Sequence, residues 1–140
     1  MSLADNKALA RRANEMWEGG NTDDPAKVFA PGYVNHQEPD IAGGVSARTL
    51  KDWKALLAGH HTAFPDCKTR VLMQIAEGDL VSTRWEFTAT HKGHYMGLEP
   101  SGRTTTWTGI QIDRIENGRI VESWVDWDKY RQFQALGLLD

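Results

Sequence analysis

The sequence TGIQIDRIENGRIVESWVDWD, from Thr108 to Asp128, decides the fold. Two runs rich in β-branched residues flank Glu116-Asn117-Gly118. Because Asn-Gly adopts the positive φ angles of a tight turn at little steric cost, the stretch predicts a β-hairpin. The second strand ends in a tip rich in acidic and indole side chains, which we interpret as the edge of a ligand pocket: Trp124, Asp126, Trp127 and Asp128.

Upstream of this hairpin the pattern remains that of strands. We expect strands over Thr69 to Ile75, Leu80 to His91, Thr104 to Arg114 and Arg119 to Trp127, joined as an antiparallel meander. Alternation in the second strand predicts one buried face and one solvated face. The buried face comprises Val81, Thr83, Trp85 and Phe87, and the other comprises Ser82, Arg84, Glu86 and Thr88.

The first half of the chain is predicted to be mainly helical. Apolar residues at three- and four-residue spacing predict a helix from Leu3 to Glu18, capped by Asp5. A second long helix, capped by Ser46, is expected to end near Ala63. Shorter elements in this half are a helix over Ala26 to Phe29 and a β-like run over Tyr33 to Gln37. After the strands, a final helix is expected over Lys129 to Leu136. Helices followed by consecutive strands predict an α+β fold whose sheet, of about four to six strands, wraps the helices around a space.

Composition narrows the class of protein. The 140 residues, with 40% hydrophobic and 25% charged residues, predict one soluble domain spanning 1–140. A net charge of −3 without a basic cluster argues against a nucleic-acid partner. No apolar run is long enough for a membrane span, and the first residues lack signal-peptide features. With a single cysteine, Cys67, the expected location is the cytoplasm.

The late aspartates are the first candidates for catalysis. A carboxylate buried among Trp side chains has a raised pKa and could serve as a general base. Asp126 and Asp128 share a face if the strand stays regular, whereas Asp128 could instead cap the final helix. His36 suits proton transfer, and Asn35 could donate to a carbonyl or enolate oxygen; a structural pair that holds a loop is the alternative.

Other histidines and the six tryptophans have two interpretations each. His91 and His94 flank a glycine loop, but their spacing does not match known metal sites, and no metal is predicted. His60-His61 at a helix end would interact with the carboxyl terminus of that helix.

The indole rings would partly line a cavity and partly fill the core. Arg84 and Glu86 would face the pocket or a dimer interface. The candidate ligand contacts are Trp85, Trp107, Trp124, His91, Tyr33 and Gln111.

Several motifs, taken in order, resemble the SnoaL-like polyketide cyclase family. They are Asn35-His36, Phe64-Pro65-Asp66, Glu77-Gly78-Asp79, Gly97 to Arg103, and Gly109-Ile110 followed by Gly118 to Trp124. The resemblance implies a cone-shaped, nuclear-transport-factor-like fold with N-terminal helices in a strongly curved antiparallel sheet, shared with ketosteroid isomerase and scytalone dehydratase. It also implies cofactor-free closure of a polyketide ring by an aldol reaction, and frequent oligomerisation.

The resemblance also locates the acid/base pair of the cyclases. In that family an Asp near the Trp of the last strand is the acid/base, and a His after the Gly-hydrophobic pair assists it. The corresponding positions here are Val125 and Gln111. Side chains alternate along a strand, so Val125 and Asp126 point to opposite faces unless a bulge intervenes.

We therefore expect a pocket that binds a hydrophobic carbonyl compound. The leading hypothesis is cofactor-free acid/base chemistry of the cyclase, isomerase or dehydratase type, with Asp126 or Asp128 as base and His36 as second proton-transfer group. Asn35 and Gln111 would orient the substrate. The alternatives are a binding or dimerisation module without turnover, and epoxide hydrolysis by Asp126, Asn35 and Arg84. An apolar sheet face predicts a homodimer.

Overall fold

A computed structural model describes residues 2–37 and 48–138. The described residues form three α-helices, one 3-10 helix and five strands, which confirms the α+β class. In chain order the elements are α1 (Leu3–Glu15), the 3-10 helix (Pro25–Lys27), β1 (Phe29–Gln37), α2 (Leu50–Ala63), β2 (Lys68–Glu77), β3 (Leu80–Thr90), β4 (Thr104–Glu116), β5 (Arg119–Trp127) and α3 (Lys129–Ala135).

Capping boxes fix the starts of the two long helices. Ser2 caps α1, and Asp5 bonds back to the Ser2 backbone, so Asp5 is part of the box and not the cap itself. Thr49 caps α2 in the same way with Asp52. The predicted cap Ser46 lies outside the described residues. None of the helices in the described ranges is long and apolar enough to cross a membrane.

The five strands form one sheet in the order β1-β5-β4-β3-β2. The predicted antiparallel meander from β2 to β5 is confirmed. The first strand differs from the expectation, because β1 pairs with β5 in parallel and makes the sheet mixed. The β4–β5 hairpin turns at Asn117 and Gly118, whose φ angles of 49° and 74° are those that the sequence predicted for this turn.

A β-bulge interrupts β5 shortly after its start. Arg114 pairs with Glu122 but Ile115 pairs with Ile120, so Val121 is an extra residue on β5. Accordingly Ile120 and Ser123, three positions apart, are both fully buried. The bulge therefore reverses which residues of β5 face the helices.

The helices cover one face of the sheet, which we name the inner face; the opposite face is the outer face. Two apolar clusters fill most of the space between the helices and the inner face. One contains Phe29, Trp53 and Ile120 beneath α1 and α2, and the other contains Phe64, Trp107 and Phe133 near α3. Cys67 belongs to the second cluster, where burial raises the pKa of its thiol to about 12. Between the two clusters the packing leaves a cavity.

Candidate functional site

A cavity of about 260 Å³ lies between α1, α2 and the inner face of the sheet. This volume is close to the lower limit of the ~300–1,000 Å³ typical of small-molecule sites. Asn14, Trp53 and His60 line it from the helices, and Trp17 lines it from the turn that follows α1. Residues of four strands, the 91–103 loop and α3 complete the wall, among them Gln37, Trp85, Gln111, Val125, Tyr95 and Gln132.

Indole rings form most of the apolar wall. Five of the six tryptophans line the cavity, namely Trp17, Trp53, Trp85, Trp107 and Trp127. Trp85 stacks on Phe87 with ring centroids 4.2 Å apart, and Trp17 meets Trp53 edge to face at 5.6 Å. Such flat, rigid walls suit a flat ring system. Trp124, a predicted ligand contact, is the exception because it lies on the outer face.

Three paired residues on neighbouring strands, two glutamines with a valine between them, form the floor of the cavity. Gln37 of β1 pairs with Val125 of β5, which pairs with Gln111 of β4. All three line the cavity. The positions that correspond to the cyclase acid/base pair, 111 and 125, are thus neighbours in the cavity but carry an amide and an isopropyl group.

A buried carboxyl lies one row behind this floor. Asp113 accepts hydrogen bonds from Gln111 Nε2 at 2.7 Å and from Ser123 Oγ at 2.5 Å. Burial raises the pKa of Asp113 to about 6, although both hydrogen bonds favour the charged form. Asp113 does not itself line the cavity, so its contact with the site runs through Gln111, whose amide it holds in place.

His60 is the most buried histidine that lines the cavity. Its ring lies 5.0 Å from Trp17 and 5.7 Å from Phe87. Burial, and to a lesser extent the neighbouring His61, lower the pKa of His60 to about 3, so the ring is neutral at physiological pH. Its Nε2 has no hydrogen-bond partner within residues 2–37 and 48–138. The predicted helix-end role fits His61, whose Nε2 lies 2.8 Å from Met16 O.

A chain of side-chain hydrogen bonds joins three elements at the side of the cavity. Trp127 Nε1 donates to Gln132 Oε1, and Gln132 Nε2 donates to the Tyr95 hydroxyl, each at 3.1 Å. The chain links β5 to α3 and α3 to the 91–103 loop. His94, also on that loop, lines the cavity but is largely exposed and pairs with Glu99.

The two aspartates expected to act as bases lie outside the cavity. Asp126 is exposed on the outer face, between the cavity-lining Val125 and Trp127. The expectation failed because the bulge at Val121 exchanges the two faces of the strand. Asp128 caps α3 by accepting from Arg131 N at 2.9 Å, the alternative that the sequence left open.

The remaining candidates are also displaced from the cavity. His36 stacks on Trp124 on the outer face and contacts Glu122 at 2.7 Å. Asn35, Tyr33 and His91 are buried but do not line the cavity. Arg84 and Asp126 are exposed on the outer face whereas Asn35 is buried, so the Asp126–Asn35–Arg84 set considered for epoxide hydrolysis does not assemble. Gln111, Trp85 and Trp107 are the predicted contacts that the structure does place at the cavity.

Sequence reasoning missed Asp113, His60, Gln37 and Gln132. Alternation on β4 offered a signal for Asp113, because it lies two positions after Gln111 and therefore on the same face. His60 also carried a signal, because it lies seven positions after Trp53 and therefore on the apolar side of α2. Gln37 and Gln132 carry no sequence signal that separates them from ordinary strand and helix residues. No group of three or more His, Cys, Asp or Glu side chains in the described part of the chain is arranged to hold a metal ion.

The fold and the site define a class of α+β proteins in which helices and the inner face of one curved sheet enclose an aromatic cavity. Within that class the chain belongs to the SnoaL-like polyketide cyclase family, whose model matches residues 7–136. No curated protein shows significant sequence similarity to the chain.

Solved structures of similar proteins agree with this assignment. AclR from Streptomyces galilaeus, a candidate hydroxylase, is 32% identical with a TM-score of 0.80, over 99% of this chain and 89% of AclR. IdmH from Streptomyces antibioticus, a candidate polyketide cyclase, is 28% identical with a TM-score of 0.80, over 94% of this chain and 98% of IdmH. A candidate polyketide cyclase from Acidithiobacillus ferrooxidans is 25% identical with a TM-score of 0.80, over the full length of both chains.

Proposed function

We propose that the protein binds a flat, multi-ring carbonyl compound of the polyketide type, with a hydroxyl or enol group against Gln111. The observation that carries this proposal is the cavity itself, with five indole rings and the Gln111 amide that Asp113 holds in place. Because one N–H of Gln111 is given to Asp113, the amide retains a carbonyl oxygen and a second N–H for a ligand. The family, and relatives described as candidate cyclases and a candidate hydroxylase, support the ligand class.

Binding is the function that the geometry supports best. The polar side chains that line the cavity are amides, histidines and a phenol, and no carboxylate within the described ranges lines it. A hydrogen bond to Gln111 would select a hydroxylated ligand over the same ring system without a hydroxyl group. One net hydrogen bond is worth about 1 kcal/mol, or about fivefold in affinity.

The first test compares 2-hydroxyanthraquinone, whose hydroxyl group has no neighbouring carbonyl to bond, with anthraquinone by isothermal titration calorimetry. We expect the wild-type protein to bind the hydroxylated compound about fivefold more tightly, and Gln111→Leu to bind both compounds equally. The matched control is Gln134→Leu, the same substitution at an exposed position of α3, which should retain the preference. An unchanged preference in Gln111→Leu, or no binding of either compound, contradicts the proposal.

A second prediction concerns Gly59, which lines the cavity from the middle of α2. Gly59 is exposed and a Cβ built on it meets no atom within 4 Å, so a larger side chain has room at the opening of the cavity. Gly59→Leu should lower ligand affinity by about tenfold or more, since the leucine side chain narrows that opening. Its melting temperature should be equal or higher, because Leu favours helix over Gly by roughly 0.8 kcal/mol.

The control for this substitution is Gly32→Leu. Gly32 is exposed on β1, and its added Cβ would also meet no atom within 4 Å. Calorimetry and thermal melting are measured on both variants. Undiminished binding by a folded Gly59→Leu protein would show that the ligand lies elsewhere.

Acid/base turnover is the second candidate function, and His60 is the observation that favours it. Its Nε2 has no hydrogen-bond partner in the described residues, so it could accept a proton from the carbon beside a ligand carbonyl while Gln111 N–H donates to the enolate oxygen. Because burial lowers the pKa of His60 to about 3, the imidazole is a weak base, and the exchange that it supports would be slow. Return of a solvent deuteron to that carbon completes an exchange cycle without a cofactor. The reaction can be followed by NMR with 2-tetralone, a fused two-ring ketone, in D2O.

Exchange above the buffer rate that is lost in His60→Gln would support turnover. Exchange at the buffer rate, together with tight ligand binding, would support a binding module. The variants Asp126→Asn and Asp128→Asn serve as controls and should keep any exchange activity, because neither side chain reaches the cavity.

A further inference from the structure

Gln37 lines the cavity at the end of β1 but has no part in the proposed function. It is in register with Val125, which is in turn in register with Gln111. Adjacent strands lie about 4.8 Å apart, so the backbones of the two glutamines are roughly 9.5 Å apart. Because the Val125 side chain between them has no polar atom, the two amides face different parts of a bound ligand.

A second row of polar residues lies directly behind this floor. Asn35, Ser123 and Asp113 are in register on the same three strands, and all are buried. Gln37 bonds to Asn35, two positions before it on β1. Gln111 bonds to Asp113, two positions after it on β4. The buried row therefore fixes the direction of both amides.

The two amides point in opposite senses. Asn35 Nδ2 donates to Gln37 Oε1 at 3.3 Å, so the Gln37 oxygen is turned toward the buried row and its Nε2 end is left for the cavity. The reverse arrangement would leave both N–H groups of the fully buried Asn35 without a partner in the described residues. Orphaned N–H groups are rarer in proteins than an under-satisfied carbonyl oxygen, which is what the structure has at Asn35 Oδ1. Gln111 instead gives an N–H to Asp113 and keeps its oxygen for a ligand.

Both outward groups are open to a ligand. Within residues 2–37 and 48–138, Gln37 Nε2 and Gln111 Oε1 form no hydrogen bond, and both side chains are only half-buried. Gln132, a third glutamine of the cavity wall, is different, because its oxygen bonds to Trp127 and its nitrogen to Tyr95. The floor of the cavity therefore presents a donor on β1 and an acceptor on β4.

We propose that Gln37 is a specificity-determining residue, which binds a carbonyl oxygen of the ligand through Nε2 while Gln111 Oε1 accepts from a hydroxyl group on another ring. This inference rests on the proposed function and narrows its ligand class to ring systems that carry an acceptor and a donor on different rings. Because the Gln37 nitrogen has only N–H groups to offer, it binds an acceptor and cannot accept from a second hydroxyl group.

A ligand pair that differs only in its carbonyl groups tests this assignment. 2-Hydroxyanthraquinone and 2-hydroxyanthracene share three rings and one hydroxyl group, and the affinity of each is measured by isothermal titration calorimetry. Gln37→Glu replaces the free N–H groups with a second oxygen, while the first oxygen can still accept from Asn35. The affinity for 2-hydroxyanthraquinone relative to 2-hydroxyanthracene should therefore fall about fivefold or more, since the hydrogen bond to the carbonyl is lost.

The two glutamines should control different preferences. Gln37→Glu should keep the preference for 2-hydroxyanthraquinone over anthraquinone, which reports on the hydroxyl group. Gln111→Leu should lose that preference and keep the preference for the carbonyl groups. Gln134→Glu, the same change at an exposed position of α3, should alter neither. Gln37→Leu also lacks the N–H groups and repeats the comparison without an added charge.

The outcomes separate this inference from the proposed function. An unchanged carbonyl preference in Gln37→Glu and Gln37→Leu, with circular dichroism showing that both are folded, would overturn the inference and leave the proposed function intact. Loss of the carbonyl preference in Gln111→Leu would also overturn it, because the carbonyl would then lie against the second N–H of Gln111. Failure of the wild-type protein to bind any of the three compounds would overturn both.

Discussion

Asp113→Asn is expected to raise the free energy of unfolding by up to about 3 kcal/mol at pH 8 and to change it little at pH 4. Burial raises the pKa of Asp113 from 3.8 to about 6. The folded state therefore holds this proton more tightly than the unfolded state. Wild-type stability falls as the pH rises from about 4 to about 6 and stays low above that range, because the buried carboxyl must ionise.

The asparagine side chain avoids this loss because it does not ionise. Its amide oxygen can still accept from Gln111 and Ser123, which both donate to Oδ1 of Asp113. Urea unfolding at pH 4, 6 and 8 measures the effect, which corresponds to a melting temperature higher by roughly 10 °C at pH 8. Asp79→Asn, at an exposed position in the β2–β3 turn, is the matched control. The same pH dependence in wild type and Asp113→Asn would show that Asp113 does not titrate in this range.

Gly109→Ala is expected to destabilise the fold by about 2–3 kcal/mol and to weaken ligand binding. A Cβ at Gly109 would lie 2.3 Å from Cζ2 of Trp85, the residue opposite it on β3. The Trp85 ring must then move, but it is stacked on Phe87 and forms part of the cavity wall. The glycine of the Gly109-Ile110 motif is thus required by the indole that covers it.

Replacing the ring partner should relieve the clash. Trp85→Phe alone leaves a gap, whereas Gly109→Ala with Trp85→Phe places a methyl group in it. A double-mutant cycle should therefore show coupling of about 1 kcal/mol or more in favour of the double variant. Gly32→Ala is the control, since its Cβ would meet no atom within 4 Å. Additive losses in the cycle would mean that Gly109 is required for another reason.

Most of the secondary structure could be predicted because its signals are local. Strand β5 has the predicted bounds, and the Asn117-Gly118 turn has the expected positive φ angles. The alternating burial of β3 follows the predicted pattern from Val81 to Phe87. The parallel pairing of β1 with β5 was missed, because no short stretch of sequence indicates which distant strand will be the neighbour.

The site was harder to predict for one physical reason. Both faces of β5 carry large apolar groups, so hydrophobicity could not decide whether Trp124 or Val125 faces the helices. The bulge at Val121 then reversed the alternation without a glycine or proline to signal it. As a result the acidic residues expected inside lie outside, and the carboxyl behind the cavity, Asp113, belongs to the neighbouring strand.

The distribution of the indoles has a spectroscopic consequence. Five of them surround the cavity and Trp124 stands alone on the opposite side of the sheet. The tryptophan fluorescence of the chain should therefore report on two separate events. A bound chromophore would quench the five cavity indoles, and a change in solvent exposure would alter the emission of Trp124. In a Trp124→Phe protein the remaining signal would come from the cavity wall alone, so occupancy could be followed optically without an added label.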